Sequence, residues 1–336
     1  MKPLVSIIIP THNRETLIVE TLTSVFRQAY RPIEIVIVDD GSTDATGQVV
    51  AAWSSERRDS ELATHYVLQR NQGASAARNR GLAKASGQLV QFLDSDDVLA
   101  PGKISSQASV LALRSEADFA YGPVCSLEEP ERIIYNQTEL SRDRAVLKQV
   151  SMPTFHTMGP LCRRQMLDRL GPWDERMRHF EDWEYFSRAS VMGFVSAYAR
   201  DGVSYYRAGP FRPRLSAPSS LGRSGHVEDR FRQLDSMWDN AIPRIRNDEV
   251  FRAAIAWEVA CVTARAVRAG WSGDDVARYT FARDIAGRSN DAIDWLVSAR
   301  KVGARRGAAE AVTALRYLSD RGAGLSTRIK RLRSSW

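Results

Sequence analysis

Short apolar, β-branched runs alternate with helix-like segments through the first hundred residues, and each run ends in a polar switch. Leu4 to Ile9 is the first run, stopped by Pro10. Ile33 to Val38 is the second, closed by Asp39-Asp40-Gly41-Ser42. Thr64 to Leu68 is the third, and Gln88 to Leu93 the fourth. Between them, Thr16 to Ala29 sets Leu17, Leu22, Val25 and Phe26 roughly on one helical face. Asp44 is placed to cap a helix reaching about Trp53, and Gly73 to Ala85 is an Ala-rich helix. Continuous apolar strands separated by helices predict a parallel sheet covered on both faces. Such sheets bind ligands at the carboxyl ends of their strands, where Pro10-Thr11, Asp39-Asp40 and Asp94-Ser95-Asp96-Asp97 all fall.

The last of these switches is the most informative chemically. Three carboxylates within four residues repel one another, and partial burial adds to the cost. A divalent cation relieves both, and hard oxygen ligands suit Mg²⁺ or Mn²⁺. Taken alone, the cluster is equally well a polar loop in which Asp forms turns and caps a helix.

Beyond residue 100 the pattern is mixed. Pro101 to Leu113 and Glu181 to Met192 read as helices, and Asp118 to Tyr135 as strands with turns. Phe194 to Ala199 and Val203 to Tyr206 read as short strands. Ala208 to Gly225 is rich in Pro, Gly, Ser and Arg and predicts a mobile loop or linker. After His226 the pattern is helical, notably over Val250 to Ala269 and Asn290 to Leu318. The net charge is +7, and the last 36 residues carry nine basic and two acidic side chains. Such a tail suits anionic lipid, nucleic acid or an acidic glycan, or simply a solvated helix face. Three cysteines, Cys125, Cys162 and Cys261, have no metal-binding or redox spacing and predict a reducing compartment. No stretch approaches the roughly 18 apolar residues of a membrane helix, so the expectation is a cytoplasmic protein, with peripheral contact to the inner membrane surface through the tail.

Six segments resemble, in order, those of the family 2 nucleotide-sugar glycosyltransferases. Val5 to Arg14 is similar to the family's opening, and Val36 to Asp44 to its second block. Asn71-Gln72-Gly73 with Ala77-Arg78-Asn79-Arg80-Gly81 resembles the third, and Phe92 to Asp97 the fourth, a metal-binding Asp-x-Asp segment. Gly171 to Glu175 and Glu181 to Glu184 resemble the acceptor-side blocks. Each block alone is weak, but their shared order over about residues 4–207 is specific. The resemblance implies a GT-A-type α/β nucleotide-sugar-binding domain with a mostly parallel sheet over residues 1–215. An α-helical C-terminal extension with the basic tail would occupy residues 216–336.

The residues carry the corresponding chemistry. Pro10, Thr11 and Asn13 open the loop that can hold a base and ribose, and Asp39 can accept a hydrogen bond from a uracil or other base N–H. By resemblance Asp39 reads the base, favouring a UDP-sugar. Arg78, near the start of a helix, suits a diphosphate. Asp94 and Asp96 share a side if the segment stays extended. By resemblance Asp96 is the direct Mg²⁺ or Mn²⁺ ligand and Asp94 holds the ribose or a metal-bound water, with Ser95 between them in the donor site. Asp97 reads as a cap for the next turn. Asp182 is the candidate base, opening a helix that stabilises a carboxylate, with Trp173, Glu181 and Trp183 on the acceptor side.

The implied reaction is inverting transfer to a hydroxyl of a glycan or lipid-linked glycan, with no nucleic acid partner. One departure stands out. Many family members carry a His a few residues after a Tyr-Arg pair that completes the metal site, but here Tyr206-Arg207 is followed by Ala208-Gly209-Pro210. His226 is the one later His, while His12, His156 and His179 read as polar-loop residues. The missing His leaves open a catalytically silent sugar-nucleotide-binding scaffold. A sugar nucleotidyltransferase would need a Gly-rich triphosphate loop after the first strand, which Pro10-Thr11-His12-Asn13 is not. The Gln-x-x-Arg-Trp segment of processive members is absent, so one sugar per event is expected.

Overall fold

A computed structural model describes residues 2–57, 59–135, 138–207, 223–271 and 275 of the chain. The alternation predicted for the first hundred residues is present. It runs β1 (Val5–Thr11), α1 (Ile18–Phe26), β2 (Ile33–Asp39), α2 (Thr46–Glu56), β3 (Leu62–Leu68), α3 (Ala74–Lys84) and β4 (Leu89–Phe92). The expected cap Asp44 lies one residue outside the α2 boundary residue Ala45. Its Oδ1 accepts from the Thr46 N–H at 2.9 Å, so it acts as a short Asx turn.

The second half is more intricate than its sequence pattern suggests. It contains β5 (Val98–Leu99), α4 (Lys103–Leu113), β6 (Phe119–Tyr121), β7 (Val124–Ser126), β8 (Ile133–Tyr135), α5 (Arg142–Ser151), β9 (Leu161–Arg163) and α6 (Arg164–Leu170). Then follow α7 (Glu181–Val191), β10 (Ser196–Tyr198), β11 (Ser204–Tyr206), α8 (Arg223–Asn240), α9 (Pro243–Arg246) and α10 (Glu249–Arg268). The sequence reading assigned no element between Tyr135 and Glu181. A three-residue strand such as β9 is too short for a visible period.

The main sheet has seven strands in the order β10-β6-β9-β4-β1-β2-β3, and a second sheet has the order β5-β11-β7-β8. Pairing in the main sheet is parallel except around β9, which runs antiparallel to both β4 and β6. Every residue of β1 and β2 is buried, whereas β3 has alternating exposure. A central strand covered on both faces loses water from every side chain, and an edge strand does not. Gly81 lets α3 approach β1 closely, because a Cβ there would lie 2.3 Å from Cγ2 of the buried Ile8.

Helices α8 and α10 pack against α5 and α7. Phe231, Leu234, Phe251 and Ile255 share one apolar cluster with Val146 and Val150 of α5 and Val191 of α7. Among the described residues no helix is long and apolar enough to cross a membrane. The last three residues of the expected linker over 208–225 instead open α8, while 208–222, the helix over 290–318 and the basic tail lie outside the described residues.

Candidate active site

The candidate residues gather where β1, β2 and β4 end. The β1–β2 register runs from Val5 beside Ile33 to Thr11 beside Asp39. On the other side of β1, Ile8 lies beside Phe92, so Asp94–Asp97 emerge at the same edge. Strand order reverses here, with β2 and β3 to one side of β1 and β4 to the other. Open α/β sheets bind ligands at such a reversal.

The first two blocks interlock through short polar side chains. Asn13 has a left-handed φ of 51°, its N–H donates to Ser42 Oγ at 2.9 Å, and its Oδ1 accepts from the Thr43 N–H at 2.8 Å. Asn tolerates that backbone region better than most residues. One oxygen of Asp39 accepts from the Ser42 N–H at 2.7 Å and the other from the Tyr66 hydroxyl. Pro10 and Thr11 are buried beside it. Asp40 has a different task. It accepts from the N–H groups of Gln72 and Gly73, each at 2.8 Å, and from Gln69 Nε2 at 2.7 Å, pinning the loop that leads into α3.

Arg78 is the centre of the site. Its guanidinium donates to Asp94 Oδ1 at 2.8 Å and to Glu181 Oε1 at 3.3 Å, with only 3% of the side chain exposed. It lies 4.6 Å over the Trp173 ring, which stacks on Tyr185 at 4.0 Å and takes Phe92 edge-on. Burial opposes the charge on Arg78, but Asp94 and Glu181 outweigh it and raise its pKa. Trp173 is thus core beneath the site. Asn79 Nδ2 donates to the Trp173 carbonyl at 3.0 Å, and the Trp173 N–H donates to Asn79 Oδ1 at 2.8 Å. The sequence reading quoted Asn79 within its block but gave it no role.

Glu181 and Asp182 open α7 after Phe180, whose φ is 59°. Buried Asp229 of α8 accepts from the N–H groups of Arg178 and His179 at 3.2 and 3.0 Å and from His179 Nδ1 at 2.8 Å. A helix of the C-terminal region therefore holds the turn that delivers both carboxylates. Burial raises the Asp182 pKa to about 6, opposed by Arg78 and aided by Asp94. Burial also raises that of Glu181, again opposed by Arg78. Trp183 points elsewhere. Its Nε1 donates to the Gln149 carbonyl at 2.6 Å, and Arg230 covers its ring at 3.8 Å. It is buried, and with Phe180, His226, Arg230 and Glu258 it lines a cavity of about 560 Å³.

The aspartates after β4 diverge. Asp94 faces Arg78, while Asp96 Oδ2 lies 3.5 Å from Arg14 Nε. Ser95 is buried between them. Asp97 Oδ1 accepts from the Arg207 N–H at 3.0 Å, so it anchors the chain after β11 across a long sequence interval where a local cap was expected. Ligand-capable atoms of Asp94, Asp97 and His156 all lie within 4.8 Å of one another. Burial lowers the His156 pKa, which favours the neutral, ligating imidazole. Two carboxylates and a neutral imidazole, whose buried Nδ1 has no hydrogen-bond partner among the described residues, form a donor set that fits a divalent cation. His226 instead packs on the rings of His179 and Phe180.

These features define a GT-A-type α/β domain with a polar crevice at its strand reversal. A family model for glycosyl transferase family 2 matches residues 6–171. The glycosyltransferase YwdF of Bacillus subtilis strain 168 is 31% identical over 196 residues, covering 55% of this chain and 68% of YwdF. The chain belongs to glycosyl transferase family 2 and is a glycosyltransferase enzyme.

Other relatives are similar over longer stretches. Glycosyltransferase GlyA of Streptococcus pneumoniae serotype 4 is 37% identical over 226 residues, and the match covers 67% of this chain but only 27% of GlyA. The UDP-Glc:α-D-GlcNAc-diphosphoundecaprenol β-1,3-glucosyltransferase WfgD of Escherichia coli is 29% identical over 238 residues, 70% of this chain and 84% of WfgD. Among solved structures, S. aureus TarS 1–349 in complex with UDP-GlcNAc aligns with TM-score 0.57 at 18% identity, covering 98% of this chain and 83% of that one. The mannosyltransferase PcManGT of Pyrobaculum calidifontis, in complex with GDP-Man and Mn²⁺, aligns with TM-score 0.54 at 20% identity, covering 98% and 88%. These two share the fold.

Proposed function

We propose that this glycosyltransferase moves a sugar from a nucleoside diphosphate donor, a UDP-sugar in the first instance, to a hydroxyl of a glycan or lipid-linked glycan, with inversion. The observation that carries the proposal is Arg78, one guanidinium bonded to both Asp94 and Glu181. It joins the donor-side and acceptor-side carboxylates at one point, where a diphosphate would replace part of its pairing. Pro10, Thr11 and Asn13 line the base and ribose end, and Asp39 accepts from the base. Asp94 and Ser95 lie along the ribose and diphosphate. Asp182 takes the proton of the acceptor hydroxyl, and its raised pKa makes it a stronger base than an exposed aspartate. A divalent ion, Mg²⁺ or Mn²⁺, would neutralise charge on the leaving diphosphate; resemblance gives it to Asp96, whereas the donor atoms that lie together are those of Asp94, Asp97 and His156. With one base and no second positioned nucleophile among the described residues, a single displacement follows.

The diphosphoundecaprenol-linked acceptor of WfgD supports a lipid-linked acceptor here, and the UDP-GlcNAc complex of TarS supports a UDP-sugar. A panel of nucleotide sugars incubated with Mn²⁺ or Mg²⁺ should yield free nucleoside diphosphate with at least one UDP-sugar. Binding without release across the whole panel, with and without candidate acceptors, would identify a silent scaffold. We further place the protein in the cytoplasm, in two parts near residues 1–215 and 216–336. The basic tail, including Arg328, Lys330, Arg331 and Arg333, would bring it to an anionic inner membrane surface. Basic residues near such a surface contribute about 1 kcal/mol each and are screened by salt. The full chain should sediment with anionic vesicles at low salt, and truncation after Arg321 should abolish this. Equal sedimentation of both forms defeats the membrane role.

A further inference from the structure

The family's imidazole follows its Tyr-Arg pair, and this chain has none there. A different imidazole occupies the crevice. We infer that His156, from the connection between α5 and β9, is the nitrogen ligand of the divalent cation in this chain, beside the carboxylates of Asp94 and Asp97. The inference rests on the metal-assisted reading proposed above and assigns a residue to it.

The fold brings His156 there through the antiparallel insertion. β9 runs against β4, with Gln91 beside Leu161. Residues just before β9 therefore pass the carboxyl end of β4, where Asp94–Asp97 begin. Gln91 Nε2 fixes this connection by donating to the Met158 carbonyl at 3.0 Å, and a turn closes it with the Gly159 N–H donating to the His156 carbonyl at 2.9 Å. The imidazole is clamped between rings, with Tyr206 at 4.8 Å edge-on and Tyr135 at 5.7 Å. Its Nδ1 is buried and has no hydrogen-bond partner among the described residues. A buried imidazole nitrogen left unpaired is costly unless something binds it.

Dimensions agree. Donor atoms of Asp94, Asp97 and His156 fall within 4.8 Å of one another. A six-coordinate ion with bonds of about 2.1 Å separates adjacent ligands by about 3.0 Å and opposite ligands by about 4.2 Å. The set is wider than that span by up to about 0.6 Å, which side-chain rotation on binding would have to take up. Mg²⁺ prefers an all-oxygen shell, so a nitrogen donor shifts preference toward Mn²⁺.

The test uses the full chain with Mn²⁺ and UDP. Pulsed electron paramagnetic resonance of the Mn²⁺–UDP complex, with protein carrying ¹⁵N-histidine, should show coupling to a histidine nitrogen. His156→Gln should remove that coupling and reduce the Mn²⁺-dependent gain in UDP affinity, measured by calorimetry, by about 10–100-fold. Persistence of the coupling in His156→Gln, or an unchanged gain, overturns the inference. Should His156→Gln fail to fold, absence of histidine coupling in the unsubstituted protein still overturns it. The two readings separate cleanly. If Mn²⁺ gives the unsubstituted protein no gain in UDP affinity, the metal-assisted mechanism fails and this inference with it. If the gain is present and identical in His156→Gln, the inference fails alone.

Discussion

Asp182→Asn lowers sugar transfer by about 10²–10⁴-fold, the usual weight of a general base, and leaves UDP affinity nearly unchanged. The substitution keeps shape and one acceptor oxygen, so the bond at 2.8 Å from the Trp183 N–H to Oδ1 can persist. What disappears is the proton acceptor. Burial sets the Asp182 pKa at about 6, so transfer should rise as pH passes through about 6, and that rise should be absent from the residual activity of Asp182→Asn. The sign for stability is opposite. A carboxyl whose folded pKa exceeds its unfolded value binds its proton more tightly in the native state, so stability falls as pH climbs from about 4 to about 6. Asp182→Asn should flatten part of that slope. Single-turnover rates and urea midpoints across pH measure both effects. Near-normal transfer by Asp182→Asn, with loss in Glu181→Gln, would mean that the neighbouring carboxylate is the base.

Arg78→Met should unfold more easily by about 1.5–3 kcal/mol at pH 7.5, the weight of the charge-assisted hydrogen bonds lost from the half-buried carboxylates of Asp94 and Glu181. The side chain is only 3% exposed and bonds Asp94 and Glu181, with Asp182 also close enough to influence its charge. Removing it leaves carboxylates facing one another across the crevice. Their protonation relieves the repulsion, so the loss should be smaller at pH 5 than at pH 7.5. Arg78→Lys should recover little, since a single ammonium cannot reproduce a fork that bonds two carboxylates over an aromatic face. Transfer should fall in both variants. A destabilisation of Arg78→Met below about 1 kcal/mol, equal at the two pH values, would show that the bridge is not what holds the site together.

The parallel half of the sheet and the edge where the site lies are legible in the linear order of residues. β1 and β2 are largely apolar and β-branched, and β4 is largely apolar, because their faces are covered, and Pro10, Asp39 and Asp94 mark their carboxyl ends. Those signals are local, so a linear reading finds them. It also named Arg78, Asp94, Glu181 and Asp182, which the structure brings together. It placed Trp173 and Trp183 on the acceptor side, whereas their packing puts both in the core, one beneath Arg78 and one beneath Arg230. It read Asp97 as a local cap and His156 as a loop residue, because neither has a nearby partner in sequence.

The remaining features depend on pairs far apart in the chain. Arg78 meets Glu181 across 103 residues, and Asn79 meets Trp173 across 94. Asp229, in a helix of the C-terminal region, sets the turn before Asp182 across about half that span. The decisive element is β9, three residues long and antiparallel in an otherwise parallel neighbourhood. Too short to carry a period, it is held by pairing with β4 and β6, and that pairing turns His156 toward the aspartates. Periodicity and turn chemistry act over a few residues and can be read along a line. The site is completed by contacts that exist only once distant strands have found one another.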